Sequence, residues 1–238
     1  MNIYFFTAVD KDPVYRAEAD ILIRSGKQYG RIIHLHDIPD DQYWGRYKAW
    51  IIGSDDLPAA DRYVYLDSDS IMTGPGDWES KKCQGVMDSL YFMKPGDRNK
   101  KLMSFIRCMT SCNHDGRGLI YLRRLWFGFG FPSWYNSGVV VLDTEKRIPF
   151  CKLWIEYIEL FDTLSENEYL PGDEPALMFA RQEFNLPILS PKYNWLLKYQ
   201  PDPGDARLIH ADGNVAGPKR EPYVRAVENL KKLEMGNG

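Results

Sequence analysis

Cysteine is scarce in this chain, long apolar runs are missing, and neither sign of charge dominates. Four cysteines in 238 residues are too few for a disulfide scaffold, so we expect a reducing, cytosolic compartment. The apolar runs fall well short of the roughly 18 residues that a membrane-spanning helix needs. A formal net charge of −3 gives no electrostatic reason to expect a polyanion as the main partner.

The first third of the chain alternates short apolar segments with amphipathic ones. Asn2–Val9 is apolar and is ended by charged residues, which favours a buried strand over a signal peptide. Further strands are predicted at 31–35 and 62–66, and helices at 43–52 and at 13–25, where Gly26 is the expected stop. This alternation predicts an α/β fold with a mostly parallel central sheet flanked by helices. The length suits a single domain over residues 1–238.

Beyond residue 80 the alternation is weaker. Predicted strands lie at 84–87, 135–142 and 186–189, and predicted helices at 100–112, 150–164, 173–183 and 222–233. Residues 113–133 are rich in glycine and aromatic side chains, which is typical of a loop or lid. The aromatic run from Trp126 to Trp134 suits stacking on a sugar and packing in a core equally well.

Asp67 and Asp69 follow directly after the apolar segment 62–66. Alternate residues of an extended strand point to opposite faces, so the two carboxylates can share one ion only if the chain turns there. Chains do turn at the carboxyl edge of a parallel sheet, where such folds bind their ligands. Carboxylate oxygens suit Mg²⁺ or Mn²⁺. Taken alone, an Asp-x-Asp triplet also fits two solvated aspartates in a turn.

Four further motifs follow the segment VYLDSDSIM in order. They are WYNSGVVVLD, LPGDEPALMFA, LPILSPKYNWLL and LIHADGNVAGPK. Together the five segments resemble the GT-A fold glycosyltransferases, most closely family 8, which contains glycogenin-like and lipopolysaccharide galactosyltransferase-like enzymes. The resemblance spans residues 2–219. It implies a Rossmann-like GT-A domain with a nucleotide-binding half at about 1–80, an acceptor-binding half at about 81–220 and a C-terminal helix at about 221–234.

The resemblance implies a metal site made of Asp67, Asp69 and His210. Asp67 is also expected near the donor ribose. Gly213 falls on the glycine that stands three residues after the histidine. Lys219 corresponds to the lysine that binds the diphosphate, although it stands three positions later than in the family and no tryptophan closes the motif. A lone histidine is otherwise more often a hydrogen-bonded structural residue.

Further motif positions are expected to contact the donor. The resemblance places the nucleotide base at the end of the first strand. It places a basic residue of the helix before Asp67 near the phosphates or the metal aspartates, and here Lys48 is favoured over Arg46. The donor-binding residues expected in this way are Thr7, Ala8, Val9, Asp10, Lys48, Asp67, Ser68, Ser137, Gly138, Gly213 and Lys219.

The catalytic side chains that the resemblance implies are Asp173, Glu174 and Asn136. Asp173 would hydrogen-bond hydroxyls of the donor sugar, and Glu174 would lie under the anomeric carbon, where family members often carry glutamine. A glutamate there suits a nucleophile or a group that stabilises positive charge. The acidic pair also suits a helix N-terminus, because acidic side chains are favoured at the positive end of the helix dipole. Asn136 and its neighbours likewise suit a tight turn.

The implied reaction moves a sugar from a nucleoside diphosphate sugar, expected to be a UDP-hexose, to an acceptor hydroxyl with retention of configuration. Mn²⁺ or Mg²⁺ is the implied cofactor, because it would neutralise charge on the leaving diphosphate. The acceptor stays open between a saccharide, a lipid-linked saccharide, a protein, a small metabolite and modified nucleic acid. The lack of long apolar runs predicts no integral membrane association, and the closing helix, which has basic residues but no aromatic belt, predicts at most weak membrane attachment.

The sequence leaves open two alternative functions and one alternative metal site. Haloacid dehalogenase-type phosphohydrolases also carry Asp-x-Asp after an apolar strand, but normally after the first strand of the sheet. A non-catalytic nucleotide-sugar-binding relative would keep the donor site without turnover. Cys108, Cys112 and His114 could form a zinc site together with Cys83, although ordinary buried cysteines on a helix explain the spacing better.

Overall fold

Strands and helices alternate along the described part of the chain, which comprises residues 1–39, 44–100, 103, 135–164, 173–211 and 220–236. In this computed structural model the strands are β1 (Ile3–Val9), β2 (Ile33–Asp37), β3 (Arg62–Leu66), β4 (Ser70–Met72), β5 (Gly85–Asp88), β6 (Tyr135–Asp143), β7 (Ile188–Leu189), β8 (Trp195–Leu196) and β9 (Leu208–His210). The helices named here are α1 (Pro13–Gln28), α2 (Trp44–Gly53), α3 (Thr144–Leu164), α4 (Asp173–Phe184) and α5 (Glu221–Gly236), and residues 95–100 are helical as well. None of these helices is long and apolar enough to cross a lipid bilayer.

Six strands form the main sheet in the order β2-β1-β3-β6-β5-β7. β1 pairs in parallel with β2 and β3, β5 pairs in parallel with β7, and β6 runs against both of its neighbours. The predicted α/β fold with a mostly parallel sheet is therefore confirmed. Because β6 is antiparallel to β3 and Leu66 pairs with Val139, the first four residues of β6 extend past the last residue of β3. One edge of the sheet thus collects the ends of β1 and β3 and the start of β6.

Apolar side chains cover both faces of the main sheet. Phe6 and Tyr65 point into one core, which α2, α3 and α4 cover, whereas Val64 and Leu66 point into a second core next to α1. A sheet buried on both faces needs strands that are apolar throughout, so its polar functional residues collect where the strands end.

A second sheet of three short strands, β4-β9-β8, was not predicted. β4 pairs antiparallel with β9, and β8 pairs parallel with β9. Strands of two or three residues are too short to show an alternating pattern in the sequence. This sheet brings the segment around His210 back to the turn that follows β3.

Several predicted boundaries are wrong for identifiable reasons. α1 continues past Gly26, because this glycine serves close packing: a Cβ there would lie 2.5 Å from Cδ1 of Ile33. α3 begins at Thr144 and carries Pro149 in its second turn, whereas the helix was expected from residue 150. β2 lies two residues later than predicted. The predicted helix at 100–112 lies almost wholly outside the described residues.

Candidate active site

The turn after β3 brings two carboxylates to the same side of the chain. The Ser70 amide donates to the Asp67 carbonyl oxygen at 3.2 Å, which closes a turn through Ser68 and Asp69. Ser68 is partly exposed in this turn, and Asp69 is buried. The geometric condition for two aspartates to share one ion is therefore met.

His210 completes this cluster because β9 pairs with β4. The pairing puts His210 opposite Ser70, which is next to Asp69 in the chain. Nε2 of His210 lies 3.1 Å from Oδ1 of Asp69 and 3.7 Å from Oδ2 of Asp67. One ligand atom from each of the three residues lies within 4.8 Å of the other two. The three predicted metal ligands thus come together from distant parts of the sequence.

The ligand set of this cluster fits a divalent cation. Two carboxylates and an unprotonated imidazole nitrogen are all electron-pair donors, so their close approach is favourable when a cation lies between them. Carboxylate oxygens with one imidazole suit Mn²⁺ and Mg²⁺. Three protein ligands leave coordination positions for oxygens of a substrate or of water.

Gly138 makes room for the His210 ring. A Cβ at position 138 would lie 2.5 Å from Nδ1 of His210 and 2.8 Å from Oδ1 of Asn136, and closer still to Cε1 of the ring. The Gly138 carbonyl oxygen also accepts a hydrogen bond from the Asp67 amide at 2.8 Å. The contacts named here join Gly138 to Asp67 and His210 of the metal cluster and to Asn136, and its expected contact with a donor stays a prediction.

Lys48 of α2 lies buried among the acidic groups of the site. Its Nζ is 2.8 Å from Oδ1 of Asp67, 3.1 Å from Oγ of Ser137 and 3.9 Å from Oδ2 of Asp173. Burial by itself would lower the pKa of Lys48, but the Asp67 and Asp173 carboxylates outweigh it and raise this pKa above its ordinary value. Lys48 is therefore held in its charged form. The side chain of its competitor Arg46 lies outside the described residues.

The acidic pair opens α4 at the same edge of the sheet. Asp173 is 4% exposed, and burial raises its pKa, although the Lys48 charge and a hydrogen bond with Ser137 act in the opposite direction. Oδ2 of Asp173 has no hydrogen-bond partner among the described residues. Glu174 is partly exposed, and its Oε1 accepts a hydrogen bond from Nδ2 of Asn136 at 3.2 Å. A favourable helix dipole explains where both acids stand in α4 but not why Asp173 is buried.

Two residues of the site were not singled out from the sequence. The Tyr65 hydroxyl donates to Oδ1 of Asp67 at 3.0 Å. Asn194 is fully buried and hydrogen-bonds both Oδ1 of Asn136, at 2.8 Å, and Nδ1 of His210, at 3.1 Å. Tyr65 belongs to the apolar segment 62–66, where nothing in the sequence distinguishes it from its neighbours. Asn194 lies in the motif LPILSPKYNWLL, where a polar residue among apolar neighbours was the available signal.

The residues expected to bind the nucleotide base lie at the end of β1. Thr7, Ala8 and Val9 are buried, and Asp10 is partly exposed just after the strand. Oγ1 of Thr7 has no hydrogen-bond partner among the described residues, and Oδ1 of Asp10 accepts from the Asp12 amide at 2.8 Å. Ala8 and Val9 have no polar side-chain atoms, so they could hydrogen-bond a base only through their backbone atoms. Contact with a base stays a prediction for all of them.

The acidic groups near the end of β1 and one aspartate of the metal cluster both act on the pKa of Tyr15 in α1. Burial raises the pKa of Tyr15, and the negative charges of Asp12, Asp10 and Asp69 raise it further.

Several predicted residues lie outside the described residues, and their roles stay predictions. They are Gly213, Lys219, the zinc candidates Cys108, Cys112 and His114, and the aromatic run from Trp126 to Trp134. Cys83, the fourth zinc candidate, is buried in the second core, and burial raises the pKa of its thiol to about 12. These surroundings favour an unreactive structural thiol.

Three solved structures with a similar fold are glycosyltransferases. One is a glycosyltransferase involved in the glycosylation of the major capsid of PBCV-1, with a TM-score of 0.52 and 13% identity over 98% of this chain and 100% of that chain. The apo form of GlyE from Streptococcus pneumoniae gives a TM-score of 0.54 and 14% identity over 99% of this chain and 63% of that chain. An active-site variant of LgtC gives a TM-score of 0.53 and 12% identity over 96% of this chain and 96% of that chain.

No protein-family model matches the sequence, and a search of curated proteins finds no match either. At identities of 12–14% the three structural likenesses establish the fold. The chain therefore has a GT-A-like glycosyltransferase fold, as its motifs predicted.

Proposed function

We propose that this chain is a metal-dependent glycosyltransferase that moves a sugar from a nucleoside diphosphate sugar to an acceptor hydroxyl. The observation that carries the proposal is the Asp67–Asp69–His210 cluster, which lies beside the buried acid Asp173 in a fold shared with glycosyltransferases. A divalent ion held by the cluster, Mn²⁺ or Mg²⁺, would supply positive charge to the leaving diphosphate.

The donor is proposed to be a UDP-hexose, on the strength of the motif resemblance and of the fold. Its base is assigned to the end of β1, where Thr7 has an unpartnered hydroxyl oxygen. Lys48 is assigned a supporting role: it holds Asp67 through a short ion pair and offsets the repulsion between Asp67 and Asp173. The Lys48 charge also opposes the effect of burial on the pKa of Asp173, and the ion pair holds Asp67 in place when an anionic donor arrives.

The donor sugar is assigned to the space beside the start of α4. Oδ2 of Asp173 is buried without a hydrogen-bond partner, and a buried carboxylate oxygen in this state gains free energy by accepting from a sugar hydroxyl. Glu174, held by Asn136, would stabilise positive charge at the anomeric carbon during transfer. Retention of configuration is part of the proposal and rests on the family resemblance.

The acceptor is proposed to be a hydroxyl group of a saccharide, a lipid-linked saccharide, a protein, a small metabolite or modified nucleic acid. One structural neighbour is involved in the glycosylation of a viral capsid. A protein is for this reason the first acceptor to test.

The phosphohydrolase alternative accounts for fewer observations. Asp67 ends β3 rather than the first strand, and His210 shares its cluster. Neither feature is needed by an enzyme that uses an aspartate as a phosphate-accepting nucleophile.

The proposal is tested by a donor screen. Purified protein is incubated with UDP-, GDP- and CMP-sugars, with and without Mn²⁺, and donor hydrolysis and thermal stabilisation are measured. We expect Mn²⁺-dependent turnover and binding with UDP-sugars. Asp69→Asn should lose at least about a hundredfold in turnover and should lose Mn²⁺-dependent donor binding, because it removes one ligand charge.

Asp55→Asn is the matched control for that variant. Asp55 is exposed in the turn before β3, at the opposite end of the strand from Asp67, so its loss should leave turnover unchanged. Unchanged Mn²⁺-dependent activity in Asp69→Asn would refute the metal assignment. Tighter binding of GDP- or CMP-sugars would refute the UDP assignment, and Mn²⁺-dependent binding without turnover would identify a non-catalytic relative.

A further inference from the structure

Four side chains of the site form a continuous hydrogen-bonded chain. Nδ1 of His210 lies 3.1 Å from Oδ1 of Asn194, Nδ2 of Asn194 donates to Oδ1 of Asn136 at 2.8 Å, and Nδ2 of Asn136 donates to Oε1 of Glu174 at 3.2 Å. Asn194, Asn136 and His210 are all buried. These hydrogen bonds link His210 of the metal cluster to Glu174, the acid assigned to the anomeric centre.

The backbone N–H of Gly138 determines which group donates and which accepts in each of these side-chain hydrogen bonds. The Gly138 N–H donates to Oδ1 of Asn136 at 2.9 Å, and a backbone N–H can only donate. The Asn136 amide must therefore turn its oxygen to Gly138 and Asn194 and its NH₂ group to Glu174. Asn194 must then turn its own NH₂ group to Asn136 and its oxygen to His210. The network itself fixes both amide orientations.

The orientation of Asn194 determines which nitrogen of His210 carries the proton. An amide oxygen only accepts, so Nδ1 of His210 must be protonated to bond it. In the neutral ring Nε2 then keeps its lone pair, which faces Asp69 at 3.1 Å and Asp67 at 3.7 Å. This is the tautomer that a metal-binding imidazole requires.

We propose that Asn194 is a positioning residue with two separate tasks. Its amide oxygen holds His210 in the metal-binding tautomer, and its NH₂ group holds Asn136 in the orientation that reaches Glu174. The effect on turnover rests on the proposed glycosyl transfer, whereas the effect on the His210 ring is independent of any activity. Because the two tasks use different atoms of one side chain, two substitutions separate them.

Asn194→Asp keeps the oxygen that accepts from His210 and removes the NH₂ group that donates to Asn136. The carboxylate still accepts from Nδ1 of His210 but cannot donate to Asn136. We expect a protonated Nδ1, an affinity for UDP with Mn²⁺ within about threefold of wild type, and a kcat about 10–100-fold lower.

Asn194→Leu removes both groups at similar side-chain volume. With no acceptor for Nδ1–H, the ring is free to place its proton on Nε2 and donate to Asp69 instead. We expect the Nδ1–H signal of His210 to disappear and the affinity for UDP with Mn²⁺ to fall about 10–100-fold. Asn229→Asp, on an exposed position of α5, is the control that should leave all three measurements unchanged.

The tautomer is measured by NMR on protein carrying ¹⁵N-labelled histidine, at alkaline pH, first without metal and then with Mg²⁺ and UDP. The chain has only four histidines, so His210→Gln suffices to assign the signal. Calorimetry with Mn²⁺ and UDP gives the affinity, and steady-state kinetics separates kcat from KM.

An unprotonated Nδ1 in the wild-type protein would overturn the proposal, as would an Asn194→Leu variant with wild-type tautomer and affinity. If that variant does not fold, Asn194→Asp decides: loss of its Nδ1–H signal would equally overturn the assignment. A wild-type protein without turnover would refute the proposed function, and the tautomer and affinity measurements would still decide the role of Asn194.

Discussion

One methyl group at position 138 tests whether the metal cluster depends on close packing as well as on its ligands. In Gly138→Ala the new Cβ would lie 2.5 Å from Nδ1 of His210 and 2.8 Å from Oδ1 of Asn136, whereas ordinary contacts begin at 3.4 Å. The backbone at Gly138 is held by two hydrogen bonds, because its carbonyl oxygen accepts from the Asp67 amide at 2.8 Å and its N–H donates to Oδ1 of Asn136 at 2.9 Å. The His210 ring must therefore move by about 1 Å.

Two quantities should change in Gly138→Ala. Overpacking of a buried site costs about 1–3 kcal/mol, and in a chain of this size each kcal/mol lowers Tm by about 2–4 °C, so Tm should fall by about 2–12 °C. A displacement of about 1 Å can cost about a hundredfold in function, so the affinity for UDP in the presence of Mn²⁺ should fall by about 10–100-fold. This substitution removes no ligand atom, so a lower affinity for UDP would result only from the displacement of the His210 ring.

Thermal melting followed by circular dichroism and calorimetry with Mn²⁺ and UDP measure these two effects. Gly96→Ala is the matched control, because a Cβ at that position meets nothing within 4 Å. It should bind like wild type and melt at the same temperature or slightly higher, since alanine restricts the unfolded chain. A Gly138→Ala protein that melts and binds like wild type would refute the argument that His210 needs this space.

The remaining predictions concern the acidic pair and the buried thiols. Asp173→Asn should weaken UDP-sugar binding and slow turnover together, whereas Glu174→Ala should bind almost normally and lose at least about a hundredfold in kcat, because its charge acts only in the transition state. Calorimetry with steady-state kinetics distinguishes them, and a near-wild-type rate in Glu174→Ala would leave Glu174 as a helix N-terminal acid only. Burial raises the pKa of the Cys83 thiol to about 12 and raises that of Cys151 as well, so both should resist iodoacetamide at pH 8 until the protein is unfolded. Mass spectrometry of the labelled peptides measures this, and rapid labelling in native protein would contradict it.

Local pattern predicted the elements that carry most of the site. β3 occupies the predicted range 62–66, and α4 begins at Asp173 as expected, because a run of apolar residues and a pair of helix-favouring acids are signals within a few neighbouring residues. The division into a nucleotide-binding half and an acceptor-binding half, and the roles of Gly213 and Lys219, stay predictions.

Prediction was weaker where a residue acts through distant partners. Gly26 looked like a helix stop, yet it serves contact with Ile33. Gly138 looked like part of a turn or a donor contact, yet its missing side chain makes room for His210. A glycine has the same appearance in the sequence whether it relieves backbone strain or gives space to a neighbour, and only the neighbour's position tells the two apart.

The sequence by itself determined the α/β class, the ordered motifs and the identity of the cluster residues Asp67, Asp69 and His210, because each rests on local periodicity or on a short motif. Only the tertiary structure decided that β6 runs against β3, that the short strands β4 and β9 bring His210 to Asp69, and that Asn194 joins both sides of the site. The physical reason is that these short strands, and a single buried amide, are held by hydrogen bonds between segments far apart in the chain. Such pairings leave no periodic trace in the residues that make them.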